Sequence, residues 1–421
     1  MTLKKLKKYF FSLFVLILLL NLFTLDKNSK IFIVLKKNFT GIYHFLGFDD
    51  PLISQEIISQ KSSKSFSETV TANSFDIEVF YSKDLKFAGK SAGIYIDNQD
   101  NLLFYDQKGY LINKNKITKL DLTPSFTTEY QGGLKGIFFI EDKAFGFISS
   151  RTINCYKSSL ISIKSKTIIF ETACLPDDHL IDYNGIGGAN LILDENVYIS
   201  IGAPEATSQL IRNLSQDKSS YYGKILKLDK KEVYNEKVKD VEIFSFGHRN
   251  PQGLINYDNK ILSTEHGPYG GDEINIIAKN NNYGWPVTSY GTKYHKNDAD
   301  ENERGSGESF SFNHNESGFI EPLYTFIPSE AISDLTECPK NLKEYYSKPC
   351  LLLSSLKAGS LFVVILEDDM SRVISIEKIN IGLRLRHFAK KLNNTSYDRK
   401  NHVFVSADTE GILKIVFNNF R

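Results

Sequence analysis

Three polar segments of this chain hold the residue types that could do chemistry. They are Phe246-Gly-His-Arg-Asn-Pro-Gln-Gly-Leu254, Thr264-Glu-His-Gly-Pro-Tyr-Gly-Gly-Asp-Glu-Ile-Asn275 and Asn282-Tyr-Gly-Trp-Pro286. Arg249 and Asn250 offer N–H donors to an anion or to a carbonyl oxygen. Gly267-Pro268 and Gly270-Gly271 are turn formers that expose backbone carbonyls. Glu265, Asp272 and Glu273 stand beside them. Carbonyl and carboxylate oxygens are hard ligands, and that donor set suits Ca²⁺. Trp285, the lone tryptophan, sits between Gly284 and Pro286 and reads as a packing anchor. The plainer reading of all three segments is loop architecture on an apolar scaffold.

That scaffold reads as strands. Short apolar runs recur beyond residue 75, among them Leu102–Tyr105, Asn190–Leu193, Val197–Ile201, Ile225–Leu228, Ile261–Thr264 and Leu361–Leu366. Clusters of Asn, Asp, Gly and Lys break them, which is turn chemistry. Helical periodicity is nearly absent after residue 30; Asn341–Tyr346 is the main exception. Phe and Tyr number 30 and 22, and such residues favour strands. Many short strands with even turns point to a sandwich, a barrel or a propeller. A meander running from 75 to 421 is long for a sandwich, whereas a propeller absorbs it by repeating a four-stranded blade. No Trp-Asp or similar repeat gives the blade number.

The chain has 421 residues, with 51 basic and 50 acidic side chains. Net charge near zero argues against a nucleic-acid partner and against a polybasic membrane patch. The N-terminus is different. Lys4, Lys5, Lys7 and Lys8 precede an apolar run from Tyr9 to Leu25. A run of about 17–25 residues can span a bilayer. It ends without the small residues of a cleavage site. The segment 1–27 is therefore expected to be an uncleaved anchor, one transmembrane helix with the lysines inside. Residues 28–74, dense in Ser and Lys, read as a linker or stalk. The remainder, 75–421, would face outward, periplasmic or otherwise extracytoplasmic. The four cysteines fall as two local pairs, Cys155 with Cys174 and Cys338 with Cys350. An oxidising exterior permits both disulfides, and proximity alone suggests this pairing.

The succession GHRNPQGL, EHGPYGGDEIN and NYGWP over residues 246–286 resembles the glucose/sorbosone dehydrogenase family, the PQQ-dependent soluble glucose and aldose sugar dehydrogenases. Weaker matches extend the resemblance from about residue 90 to the C-terminus. Tyr130-Gln-Gly-Gly-Leu-Lys-Gly136, Tyr222-Gly-Lys-Ile-Leu-Lys-Leu228, Ser354-Ser-Leu-Lys-Ala-Gly359 and Leu383-Arg-Leu-Arg386 carry it. The resemblance implies an all-β fold, a six-bladed β-propeller. It also implies the cofactor PQQ, a quinone with three carboxylates. Lys357, Arg384 and Arg386 would neutralise those carboxylates, the arginines by forked contacts. Each alone reads as a solvated surface charge; together, at matching places, they read as a cradle. Arg249 and Asn250 would support charge at the quinone oxygen, and Gln131 would touch substrate or cofactor. The carbonyls of Gly267 and Pro268 would hold a Ca²⁺ acting as Lewis acid. Glu273 and Tyr283 resemble ligands of a further Ca²⁺.

One departure bears on activity. The family's general base is a histidine, and its position falls here at Gly185 or Ile186, neither of which accepts a proton. Losing such a base typically costs about 10²–10⁴-fold in rate. His179 and Asp182 are the nearest substitutes. Two functions follow. One is a quinoprotein dehydrogenase of a sugar or related alcohol with a displaced base. The other is a catalytically degenerate propeller that binds a ligand or a protein. Nothing in the sequence names an electron acceptor.

Overall fold

Alternate residues of one strand pack into different cores. In β20 (Cys350–Ser355), Leu352 belongs to one cluster, while Leu351 and Leu353 belong to the next. A strand buried on both faces carries apolar residues in succession, as Cys350–Leu353 of β20 and Leu361–Leu366 of its neighbour β21 (Ser360–Leu366) do. The arrangement that buries both faces of every sheet without an outer layer is a ring of blades.

The computed structural model describes residues 67–81, 90–113, 116–124, 126, 132–152, 155–175, 187–203, 213–292, 310–392, 400–408 and 410–421. They form six sheets. The first blade has β3 (Ser91–Ile96), β4 (Leu102–Asp106), β5 (Tyr110–Asn113) and β6 (Lys116–Lys119). The second has β7 (Gly133–Ile140), β8 (Lys143–Thr152), β9 (Cys155–Ser162) and β10 (Ile168–Glu171). The third has β11 (Asn190–Leu193), β12 (Asn196–Ile201), β13 (Lys224–Asp229) and β14 (Glu242–Phe246). The fourth has β15 (Pro251–Tyr257), β16 (Lys260–Glu265), β17 (Asp272–Ile277) and β18 (Tyr324–Phe326). The fifth has β19 (Ile332–Glu337), β20, β21 and β22 (Val373–Asn380). Each is an antiparallel meander. Two short helices, α1 (Lys230–Tyr234) and α2 (Lys340–Tyr346), cap strand ends.

The sixth blade closes the ring. It joins β23 (Leu385–Phe388), β25 (His402–Ala407) and β26 (Gly411–Asn418) to β2 (Asp76–Tyr81) and β1 (Ser67–Thr71) from the other end of the chain. β2 pairs with β26 from Asp76↔Asn418 to Tyr81↔Leu413. The short β24 (Lys390–Lys391) adds to β3 in parallel. The inner strands β3, β7, β11, β15, β19 and β23 each contact the next, and β23 returns to β3. Ile94, Ile137, Asn190, Gly253, Asp334 and His387, one from each inner strand, line a single narrow channel. Six apolar clusters, one per pair of adjacent blades, fill the space between them. Outer strands are wetter: all four residues of β6 are exposed.

The propeller expected from the sequence is present with six blades. β1 carries it back to Ser67, inside the segment read as stalk, because an edge strand needs only sparse apolar content. Both expected disulfides are formed, with Cα separations of 5.2 and 5.4 Å. Residues 1–27 and all of the stalk before Ser67 lie outside the described residues. Among the described residues no helix is long and apolar enough to cross a membrane.

Candidate active site at one mouth of the channel

Arg249, Asn250 and Arg384 lie where the chain enters the inner strands β15 and β23, Arg386 lies within β23, and Lys357 lies in the turn between β20 and β21. Arg249 and Asn250 immediately precede β15, and both are buried. Their loop is held by a buried carboxylate at the end of β16. Glu265 Oε1 accepts from the Arg249 N–H and from the Asn250 N–H, the latter at 3.3 Å. Its Oε2 lies 2.9 Å from His248 Nδ1, and His248 Nε2 lies 2.8 Å from Ser245 Oγ. The His248 ring stacks on Tyr283 at 4.6 Å. So the GHRN loop is fixed before any ligand arrives. The Arg249 guanidinium donates to the His266 carbonyl at 3.0 Å and lies 5.4 Å from the Trp285 ring. Trp285 is packed against Phe310, as expected of an anchor, and it also supports the arginine.

The neighbouring loop binds the fourth blade to the fifth. Asp272 accepts from the Gly267 N–H at 3.0 Å, and from the N–H groups of Glu330 and Ala331 at 2.8 and 2.6 Å. A Cβ on Gly267 would fall 2.2 and 2.3 Å from the carbonyl oxygens of Gly270 and Gly271, so only glycine fits and carbonyl oxygens crowd this turn. On the same side, the Lys357 ammonium lies 5.6 Å from the ring of Tyr269. Arg384 Nη1 donates to the Leu356 carbonyl at 3.3 Å, and Ser354 Oγ donates to the Arg386 carbonyl at 2.7 Å. Contacts linked by short stretches of chain, His266–Tyr269 and Leu356–Lys357, therefore join Arg249, Asn250, Lys357, Arg384 and Arg386 across three blades. Gln131, His179, Asp182, Gly185 and Ile186 lie outside the described residues.

The cations differ in what they already hold. Arg386 is buried and clasps Asp408 with two bonds, Nε to Oδ1 at 2.8 Å and Nη2 to Oδ2 at 2.5 Å. Arg384 is more exposed and 3.6 Å from the same carboxylate. Two further lysines feel the charge of Arg386. Lys90 leads into β3, and burial together with Arg386 pushes its ammonium below the usual lysine range. Lys135 stands near the start of β7. Burial, then the charges of Arg386 and Lys90, bring it down to about 7. Cations outnumber their carboxylate partners here, and a polyanion would relieve that excess. The donor chemistry thus fits PQQ. Sequence reasoning missed Asp408, which ends an unremarkable strand. It quoted Lys135 without a role, although a lone lysine in the apolar run Gly133-Leu-Lys-Gly-Ile-Phe-Phe-Ile140 was a readable signal.

The metal expectations meet mixed geometry. Glu273 is buried opposite Glu265 in the β16–β17 pairing. Burial and then Glu265 raise its carboxyl to about 8. Asn275 Nδ2 donates to it at 3.0 Å, while Asn275 Oδ1 is buried with no hydrogen-bond partner. Those oxygens fit a hard cation. The Tyr283 hydroxyl is already engaged, donating to the Ile276 carbonyl at 2.6 Å and accepting from the Ala278 N–H at 3.0 Å. Only its backbone carbonyl is left to serve as a ligand. Among the described residues no group of three or more His, Cys, Asp or Glu is arranged to hold a metal.

The family model Glucose / Sorbosone dehydrogenase matches residues 93–401. The aldose sugar dehydrogenase of Escherichia coli is 37% identical over 139 residues, 31% of this chain and 36% of that protein. The quinoprotein glucose dehydrogenase B of Acinetobacter calcoaceticus is 43% identical over 79 residues, 17% of this chain and 16% of that one. These matches span only about a third or less of the relatives' lengths. Among solved structures, the apo form of the E. coli soluble aldose sugar dehydrogenase superposes with a TM-score of 0.56 at 21% identity, over 80% of this chain and 99% of that one. The PQQ-bound aldose sugar dehydrogenase of Streptomyces coelicolor gives 0.50 at 18% identity, over 85% and 99%. At such identities the structural likeness speaks for the fold. The family match covers most of the propeller, and the chain belongs to the glucose/sorbosone dehydrogenase family.

Proposed function

We propose that this chain is a PQQ-dependent dehydrogenase of aldose sugars or related alcohols. The observation that carries the reading is the excess of cations at one mouth of the channel, gathered from blades far apart in sequence. Lys357 and Arg384, the exposed pair, would meet carboxylates of the cofactor. Arg386 is held by Asp408 and would act through its field and position. Arg249 and Asn250, preset by Glu265, would hold the quinone oxygen and so favour the reduced form. Bound PQQ supplies a two-electron acceptor. The crowded Gly267–Gly271 turn supports a Ca²⁺ held by the carbonyls of Gly267 and Pro268. Glu273, with Asn275 and the Tyr283 carbonyl, suits a second cation. The propeller would stand outside the cytoplasm on the helix read at 1–27, in keeping with its two disulfides.

The degenerate alternative keeps the cradle and drops the turnover. It is favoured by one observation, the absence of a proton acceptor at Gly185 and Ile186. The test is to titrate the purified chain with PQQ and Ca²⁺, follow the quinone absorbance, then add aldoses and a redox dye. Saturable binding with dye reduction supports the dehydrogenase. Binding without reduction supports the binding module. No binding overturns the dehydrogenase and leaves, of the alternative, only a module that binds something other than PQQ.

A further inference from the structure

The channel has a second mouth. Asn250 precedes β15 at the first mouth, and Asn256 lies near the other end of that strand, roughly 20 Å away at about 3.3 Å per residue. Asn256 lines a cavity of about 620 Å³. Tyr95, Asn190, Leu254, Asp334, Phe388 and Lys390 line both this cavity and the narrow channel, so the cavity is the channel's far mouth. Arg249, Asn250, Lys357, Arg384 and Arg386 do not border it. We propose that the far mouth is a second binding site, for a small organic carboxylate with an apolar body and a hydroxyl group. It is separate from the candidate active site and does not depend on the dehydrogenase reading.

The wall carries open apolar surface. Phe139 of β7, Leu191 and Ile192 of β11 and Ile255 of β15 are apolar and only partly buried, and all four line the cavity. Cavities of about 300–1,000 Å³ with mostly apolar walls and a few polar groups are the usual seats of small molecules. An apolar body lying on these side chains would remove them from water.

The charge at this mouth selects an anion. Lys340, Lys343, Lys390 and Lys391 line the cavity with the carboxylates of Asp334 and Glu337. Both carboxylates are engaged. Asp334 accepts from the N–H groups of Leu335 and Phe388 at 2.9 and 3.0 Å, and Glu337 pairs with Lys343. Lys390 donates to the Asn190 carbonyl at 3.2 Å, and Lys340 lies 3.6 Å from Glu344. Lys391 is partly buried and has no hydrogen bond or ion pair among the described residues. A cleft lined by an excess of one sign of charge draws the opposite sign, here a carboxylate to Lys391.

Asn256 supplies the third contact. Its Oδ1 is buried without a hydrogen-bond partner. An amide has an acceptor and a donor end, and a hydroxyl both donates and accepts, so a hydroxyl can pair with it. The placement around the ring is consistent. Lys391 is on the strand added to the first blade, Asn256 is on the fourth blade, and the open apolar side chains of β7 and β11 lie on the two blades between them.

The test uses 6-hydroxy-2-naphthoate, which has a carboxylate and a hydroxyl at opposite ends of an apolar body. Equilibrium dialysis against the full chain should show saturable uptake. Lys391→Glu should weaken it by about 10-fold or more, while Lys391→Arg keeps it. The 6-methoxy analogue, which cannot donate from that end, should bind about 2–10-fold more weakly, and the difference should vanish in Asn256→Leu. The double variant Lys357→Ala with Arg384→Ala, altered at the first mouth, should take up the probe as wild type does. Lys391 is at the surface, so its variants decide the matter even where Asn256→Leu does not fold. Wild-type affinity in Lys391→Glu overturns the proposal. So does loss of uptake in the Lys357 and Arg384 double variant, or failure of the wild-type chain to bind the probe. Failure of the chain to bind PQQ would bear on the function reading alone.

Discussion

Arg386 and Asp408 form a buried, two-point ion pair across β23 and the turn after β25, with the carboxylate also 3.6 Å from Arg384. Removing one partner strands the other charge out of water. Asp408→Ala should therefore lower stability by about 3–5 kcal/mol. Arg386→Met combined with Asp408→Leu should cost clearly less than the two single changes summed. Urea unfolding of the three variants decides it, and strict additivity would count against a coupled pair.

Lys357 and Arg384 carry the opposite expectation. Both are exposed, so alanine at both positions should change stability by no more than about 0.5 kcal/mol. PQQ affinity should nevertheless collapse, and wild-type affinity should weaken with added salt as exposed charges are screened. Unchanged affinity in the double variant would remove the cradle.

The blades were legible because burial on both faces forces apolar runs such as Leu351-Leu352-Leu353. Their number was not. Blades one to five pair strands in chain order, so nothing local marks where the ring closes, and the closing register appears only when β2 meets β26. The GHRN loop was legible as polar residues among turn formers. Its support was less so, since Glu265 becomes the acceptor for that loop only through the β15–β16 pairing. Asp408 gave no signal, because its meaning depends wholly on an arginine brought to it by the sixth blade. The disulfides were readable from spacing, since each closes a local loop between or beside paired strands.

Glu273 yields a pH dependence. Its carboxyl is raised to about 8 in the fold by burial and Glu265, against about 4.3 in an unfolded chain. Between those values the folded state binds the extra proton, so this group makes stability fall as pH rises from about 4 to 8. Glu273→Gln should flatten that part of the Tm profile and raise Tm near pH 8. Millimolar Ca²⁺ should narrow the gap between wild type and variant if the cation sits at this carboxylate. Parallel profiles for the two proteins would refute the burial of an ionisable Glu273.

Glu265 lets the support of the loop be separated from its charge. Glu265→Ala leaves the N–H groups of Arg249 and Asn250 and the ring of His248 without their acceptor. Each unsatisfied buried donor costs roughly 1–3 kcal/mol, so the variant should be severely destabilised. Arg249 and Asn250 should also lose their preset positions, and PQQ affinity should fall. Glu265→Gln tests the alternative that only charge matters. Its carbonyl oxygen can still accept from the two N–H groups, and its amide can donate to His248 Nδ1 if the imidazole moves its proton to Nε2 and donates to Ser245 Oγ. The glutamine variant should keep most of the stability and PQQ affinity. It should also bring the Glu273 transition to lower pH, because the neighbouring negative charge is gone. Equal losses in the alanine and glutamine variants would mean that the carboxylate acts through its charge and not by holding the loop.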